Sequence, residues 1–227
     1  MTSDRPSSPA SRAAKPRRSR RLVPAALAAL LLAGTIAVAP GAVGATAADP
    51  LGDELMRLTN LDRTALGKAA LVVDSTLASF ARDLSFACPT KSSLLLRGRS
   101  QDMADRDYFS HSVVGCLRSD GTTMSALDVM SIVLKYNTYR GENIAWNSYP
   151  TTSATYPYGC AIDGTGCKGT TAAPATVAAA QQGFMRSSGH RANILGSYDR
   201  FGCGSAVTAT GRRYYTCLFS LGGPPLA

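Results

Sequence analysis

The two histidines of the chain each lie inside a compact motif rich in polar groups. His111 ends the sequence YFSH, and His190 lies in the sequence SSGHR. Between them, Glu142 is followed by an amide side chain, Asn143, in the sequence GENIA. Imidazole has the unperturbed pKa closest to neutral pH, and it is the commonest metal ligand in proteins. Two imidazoles and a carboxylate that converge in the fold could therefore bind a metal or transfer protons.

His111, Glu142 and His190 are the candidate metal ligands and the candidate catalytic residues. Three protein ligands with water in an open position is the pattern of catalytic zinc sites, so a zinc-like divalent metal fits this set. Without a metal, the Glu-His combination could orient an imidazole as a general base. The chain contains no Gly-x-Ser-x-Gly nucleophile elbow. Each residue alone also has a purely structural explanation, such as the favourable position of His111 at a helix end.

In this order, the three motifs resemble those of the CAP superfamily, which includes cysteine-rich secretory proteins, antigen 5 and plant PR-1, and most closely its bacterial branch. The resemblance spans about residues 51 to 222. It implies an α–β–α sandwich around a mainly antiparallel sheet, with a cleft lined by two histidines and acidic residues. Carried over by position, the cleft residues are His111, Glu142, Asn143, Ser187 and His190. The position of the family's second glutamate is taken by Ser187, so the resemblance does not favour a mechanism that needs four residues. Family members are credited with sterol or lipid binding.

Local patterns also predict an α+β fold, with helices flanking a largely antiparallel sheet. Asp49-Pro50 and Asp74 are helix-start signals, and a fourth helix is predicted to begin at Thr122 or Thr123. The third helix is predicted to span 93–107, the last to follow Pro174, and the polar segment 146–174 to form a long loop. Strands are predicted at 141–146, 201–207 and 213–221.

The first 47 residues are interpreted as a signal peptide. They contain seven of the 24 Lys and Arg residues, an apolar stretch over 22–38, and small residues suited to cleavage near Ala47. Cleavage near Gly44 is an alternative, and an uncleaved anchor is a second one. Export by the Sec or by the twin-arginine route stays open. Without these residues the net charge falls from +9 to +3, because 17 basic and 14 acidic residues remain. A nucleic-acid partner is therefore not expected.

Residues 48–227 are predicted to form one CAP domain, secreted and monomeric, without a transmembrane span. All six cysteines lie there, and an even number in an exported chain favours disulfides, although six cysteines allow 15 pairings. In a hairpin centred on Thr210, Cys203 would face Cys217. Cys160 and Cys167 share one polar loop, and Cys88 with Cys116 follows by elimination.

The leading functional hypothesis is a non-enzymatic binding module for a small apolar ligand, a lipid or a cell-envelope component, with no required cofactor. One alternative is a metal-dependent hydrolase that acts on peptide or envelope material through His111, Glu142 and His190. The other is an extracellular interaction scaffold that uses the segment 146–174. The missing second glutamate and the missing nucleophile favour the binding module.

Overall fold

The structure, a computed structural model, describes residues 48–136 and 140–223. The predicted signal peptide, residues 1–47, lies outside the described residues. The helices are α1 (Pro50–Ala65), α2 (Ser75–Arg82), α3 (Arg99–Arg106), α4 (Ala126–Ile132), α5 (Ala175–Arg186) and α6 (Ser188–Leu195). The strands are β1 (Val72–Val73), β2 (Phe86–Cys88), β3 (Lys91–Leu96), β4 (Ser112–Leu117), β5 (Thr123–Ser125), β6 (Arg140–Asn147), β7 (Ser153–Tyr158), β8 (Gly169–Pro174), β9 (Arg200–Val207) and β10 (Arg213–Ser220).

The central sheet has four strands in the order β1-β9-β10-β6. β1 pairs with β9 in parallel, whereas β9 with β10 and β10 with β6 are antiparallel. Three two-stranded hairpins, β2–β3, β4–β5 and β7–β8, lie outside this sheet. Strand β6 is therefore one edge of the central sheet.

Helices pack on both faces of the sheet. Successive side chains of a strand point to opposite faces, so neighbouring residues of β10 contact different helices. Phe219 and Cys217 of β10 lie in a core cluster with side chains of α1, α5 and α6. Leu218, between them, packs with side chains of α2 and α4. Ile144 and Tyr214 pack on that same second face with α3. The predicted three-layer α–β–α sandwich is confirmed.

Two of the predicted helix starts are confirmed by capping contacts. An Asp49 oxygen accepts from the Gly52 N–H at 2.9 Å, with Pro50 in the first turn of α1. Asp74 accepts from the backbone N–H groups of Thr76 and Leu77 at the start of α2. A carboxylate cap satisfies N–H groups that have no partner within the helix.

The third helix is shorter than predicted. Residues 91–96 form strand β3, and α3 begins only at Arg99. Two interactions explain the difference. The leucine-rich end of β3 pairs with β2, which the Cys88–Cys116 disulfide ties to β4. Gly98, just before α3, lies so close to α2 that an added Cβ would be 2.5 Å from the Phe80 carbonyl oxygen.

The fourth helix begins later than predicted, and its cap is Ser125 rather than Thr122 or Thr123. Ser125 and Asp128 form a reciprocal capping box, in which each side chain accepts from the other's backbone N–H. This arrangement satisfies two N–H groups at once. Thr123 instead belongs to strand β5.

The segment 146–174 is not the predicted long loop, because β7 and β8 pair over six residues each. Its threonine and tyrosine content, typical of strands, is the physical reason. The Cys160–Cys167 disulfide closes the connection between these strands. The region around His190 also differs from the prediction, since it forms a separate helix, α6, after α5.

All three predicted disulfides are present: Cys88–Cys116, Cys160–Cys167 and Cys203–Cys217. Cys203 and Cys217 face each other in the β9–β10 register, as the hairpin geometry predicted. Over the described ranges, no helix combines the length and the apolar character that crossing a bilayer requires.

Candidate functional site

The centre of the candidate site is a direct contact between His111 and Glu142. Nδ1 of His111 lies 2.7 Å from Oε2 of Glu142. The Glu142 side chain is only 3 % exposed, whereas the imidazole is 56 % exposed. An ionised carboxylate can only accept hydrogen bonds, so the pair keeps a proton on Nδ1. In the neutral ring, Nε2 is then an acceptor at a partly exposed surface.

Glu142 is held from behind by Arg99, a residue that the sequence analysis did not select. Nε of Arg99 donates to Oε1 of Glu142 at 2.9 Å, and the Arg99 side chain is 1 % exposed. Arg99 also donates to the Tyr108 hydroxyl at 3.1 Å and to the Ser110 carbonyl at 2.6 Å. Both Glu142 oxygens therefore have partners, and the same guanidinium fixes the backbone just before His111.

The segment that carries His111 leaves α3 through a left-handed turn. Asp107 ends the helix with a φ of 49°. Beyond it, the Tyr108 hydroxyl donates to Asp102, an acid on α3. Desolvation, the largest cause, raises the pKa of Tyr108 to about 12, so the phenol stays protonated. These contacts orient the chain from α3 toward strand β6.

His190 reaches the same edge of the sheet from the opposite layer. Its backbone carbonyl on α6 accepts from Nδ2 of Asn143 at 3.0 Å. Asn143 is adjacent to Glu142 on β6, so the two side chains point to opposite faces of the sheet. Asn193 of α6 reinforces this link by donating to the Glu142 carbonyl at 3.2 Å and to Oδ1 of Asn143 at 2.9 Å. Strand β6 thereby contacts the His111 side chain on one face and the His190 backbone on the other.

The electrostatic environments of the two imidazoles differ. The hydrogen bond to Glu142 raises the pKa of His111, against smaller opposing effects of burial and of Arg99. Burial lowers the pKa of His190, and the positive charge of His111 lowers it further. The His190 ring also packs edge-on against Phe184, with centroids 5.2 Å apart.

The other two predicted cleft residues, Asn143 and Ser187, contribute to the local structure between β6, α5 and α6. Asn143 is fully buried, and its amide is used in the links to α6 described above, so it positions His190 rather than lining an open surface. Ser187 lies between α5 and α6, where its carbonyl accepts from the Arg191 N–H at 2.8 Å. Its side chain makes no capping hydrogen bond and is half-buried.

The predicted three-ligand metal set does not fit this geometry. Both carboxylate oxygens of Glu142 face other partners, Arg99 and His111. Within residues 48–136 and 140–223, no three His, Cys, Asp or Glu side chains are grouped to hold one metal ion. Glu142 instead lies behind His111, where a carboxylate orients an imidazole rather than binding a metal directly.

Cavities of about 230 and 570 Å³ open near β1, at the opposite edge of the sheet. Neither is lined by His111, Glu142 or His190. The two histidines therefore lie apart from these two cavities.

Among solved structures, the chain is similar to an outer surface protein from Borrelia burgdorferi, with 11% identity and a TM-score of 0.48. That match covers 74% of this chain and 90% of the other. It is also similar to a cysteine-rich secretory protein from Staphylococcus aureus, with 19% identity and a TM-score of 0.41. That match covers 78% of this chain but spans only 40% of the other. A comparison with curated protein sequences found no match.

The sequence itself provides the stronger comparison. Residues 56–219 match the family model described as CAP, the cysteine-rich secretory protein family. The matched range runs from within α1 to the penultimate residue of β10 and includes His111, Glu142 and His190. Since it covers well over half of the chain, the protein belongs to the CAP, or cysteine-rich secretory protein, family.

Proposed function

We propose that this CAP domain is a secreted, non-enzymatic binding module that holds a ligand at the His111–Glu142 pair. Support for export comes from the basic and apolar leader in the sequence. It also comes from the pairing of all six cysteines, since disulfides persist in oxidising compartments. The ligand class is a small apolar molecule, a lipid or a cell-envelope component that carries a polar group.

The observation that carries this proposal is the 2.7 Å contact between the half-exposed imidazole and the buried carboxylate. Arg99 fixes the carboxylate, so the imidazole is held in one orientation before any ligand arrives. Preorganisation lowers the entropic cost of binding. His111 can then donate a hydrogen bond to a ligand, or accept one from it, through Nε2.

A hydrolase is the second candidate, because a carboxylate that orients an imidazole is also the geometry of a general base. The same His111–Glu142 contact favours both functions, so only activity separates them. We expect no turnover of peptide or ester substrates, with or without zinc. Cleavage that disappears in Glu142→Ala would instead identify a hydrolase.

The test of the binding function is native mass spectrometry of the purified domain after incubation with a total envelope extract that contains both lipids and soluble glycans. We expect a retained adduct that is lost in His111→Ala and kept in Arg57→Ala, a surface variant on α1. Circular dichroism would check that both variants are folded. Equal retention by the wild type and by His111→Ala would place any binding elsewhere and overturn the proposal.

The scaffold alternative can be tested with a point substitution beside the β7–β8 hairpin. Residues 151–170 contain all of β7 and the start of β8, so deleting them would remove a paired hairpin. Tyr149→Ala, next to this hairpin and 57 % exposed, is a gentler probe. Loss of partner capture in this variant, with His111→Ala unaffected, would favour the scaffold.

A further inference from the structure

Two exposed aromatic side chains continue from the candidate site along the edge of the sheet. Phe109 is 47 % exposed and lies two residues before His111, and Trp146 is 49 % exposed. Trp146 follows Glu142 by four residues on β6, so both side chains lie on one face of the strand. The strand rise places their backbones about 13 Å apart. A ligand at His111 could therefore extend over more than one aromatic ring.

These aromatic side chains are held in place by their neighbours. Tyr214, which is buried, is directly opposite Trp146 in the β6–β10 register, and its ring centroid is 6.5 Å from that of Phe109. The guanidinium carbon of Arg212 lies 4.8 Å from the centre of the Trp146 ring. Arg212 donates to Asp107 at 2.9 Å and to the Tyr214 hydroxyl at 3.2 Å. The half-exposed rings are thus fixed to the underlying sheet.

The charge of this surface indicates what kind of molecule it suits. Arg212 and Asp107 compensate each other and are both solvent-accessible, so the surface offers donors and acceptors without a net charge. A single acyl chain is a poor match, because ligand pockets bury most of their ligand and these rings are half exposed. A sugar ring is a good match: its C–H face can rest on Phe109 or on the Trp146 face that Arg212 does not cover, where the π-system carries negative charge. Its hydroxyls can bond to the guanidinium, the carboxylate and the imidazole.

We infer that Phe109, Trp146 and Arg212 form a binding surface for an uncharged glycan chain. This inference rests on the proposed function, because it identifies the cell-envelope component as a polysaccharide that runs from His111 along β6. The chain contacts successive aromatic side chains through its sugar faces. Affinity therefore rises with the number of sugar units until the surface is filled.

The chain has one tryptophan, and it lies on this surface, so intrinsic fluorescence reports on the site directly. The experiment is a fluorescence titration of the purified domain with chitin and cellulose oligosaccharides of increasing length. We expect a saturable change in Trp146 emission, and tighter binding by longer oligomers of at least one series. Phe109→Ala keeps the reporter and should weaken binding about tenfold, or about 1.4 kcal/mol. Trp146→Ala, followed by calorimetry, should weaken it at least as much.

Two exposed side chains outside the surface provide matched controls. Tyr149→Ala removes an aromatic ring that lines a separate groove beside α5. Leu95→Ala removes an apolar side chain that is 76 % exposed on β3. Both variants should bind oligosaccharides as the wild type does. If either control lost as much oligosaccharide affinity as Phe109→Ala, the effect of Phe109→Ala would not be specific to this surface.

Several results would overturn the inference. One is an unchanged Trp146 emission with both oligosaccharide series, and another is binding that is unaffected by Phe109→Ala. Emission that responds to vesicles of phosphatidylglycerol and phosphatidylcholine, but not to sugars, would assign the surface to a membrane instead. If an adduct from the envelope extract depends on His111 while the oligosaccharides do not bind, the proposed function stands and only the glycan inference falls.

Discussion

Nε of Arg99 lies 2.9 Å from Oε1 of Glu142, and both side chains are almost completely buried. This contact joins the start of α3 to the edge strand β6, so it ties the candidate site to the second helical layer. Removing one member of a buried ion pair leaves the other charge without compensation. The stability of the domain and the orientation of His111 should therefore depend on the same pair.

We expect Arg99→Met to lower the free energy of unfolding by about 3 to 5 kcal/mol, because the buried Glu142 would keep only the half-exposed His111 as a side-chain partner. Urea denaturation followed by circular dichroism measures this change. Arg57→Ala is the control: its ion pair with Glu54 lies at the surface, where such pairs contribute about 1 kcal/mol or less. Combining Arg99→Met with Glu142→Leu should recover part of the loss. Equal stability of the Arg99 and Arg57 variants would contradict the predicted role of the buried pair.

The two histidines should titrate on opposite sides of the ordinary histidine pKa of about 6.5. The pKa of His111 is raised by Glu142, and that of His190 is lowered by burial. Because the chain has only two histidines, NMR titration of their ring protons can follow each one. Glu142→Gln should lower the pKa of His111, which identifies its signal. Two coincident titrations near 6.5 would argue against the described geometry.

The same shifts predict opposite effects of pH on stability. The pKa of His111 is higher in the folded state, so its contribution is complete below the unfolded pKa and is lost as pH rises through the folded pKa. The pKa of His190 is lower in the folded state, so protonation at falling pH disfavours folding, beginning near the unfolded pKa. We expect His111→Gln to remove the decrease in stability at rising pH. We expect His190→Gln to remove the decrease in stability at falling pH. Urea denaturation from pH 5 to 9 measures both.

Much of the fold could be predicted because its signals are local. Asp49 and Asp74 cap helices through their own neighbours, and the hairpin symmetry was enough to pair Cys203 with Cys217. The start of α3 could not be predicted this way. It depends on the close approach of Gly98 to α2 and on β3 pairing with β2, which are tertiary contacts.

The sequence identified residues of the candidate site but not how they contact one another. His111 and Glu142 were selected as chemical groups, yet the role of Glu142 depends on Arg99, 43 residues away in sequence. One local signal was present: Arg99 is one turn before the buried Met103 on α3, so it lies on the buried face of that helix. An arginine on a buried face needs a partner. The sequence alone could not identify that partner.

The disulfide in the central sheet should matter more for stability than the one in the β7–β8 connection. Replacing Cys203 and Cys217 by Ala opens a loop with a sequence separation of 14 and should cost about 3 kcal/mol in loop entropy, plus the loss of buried sulfur contacts. The control replaces Cys160 and Cys167, which close a shorter loop where Cys167 is exposed. Thermal unfolding of the two double variants measures the difference. A larger loss of thermal stability in the Cys160 and Cys167 variant would contradict this prediction.

Divalent metal should bind weakly to this site. With both carboxylate oxygens engaged by Arg99 and His111, only the two imidazoles remain as ligands, fewer than the three protein ligands of catalytic zinc sites. Calorimetric titration with zinc should therefore give a low affinity that His111→Ala combined with His190→Ala abolishes. Glu142→Gln, which keeps the shape but removes the charge, should weaken binding indirectly by releasing the His111 ring. Tight zinc binding would show that Glu142 leaves Arg99 to become a ligand, and an affinity unchanged in the double variant would place the metal elsewhere.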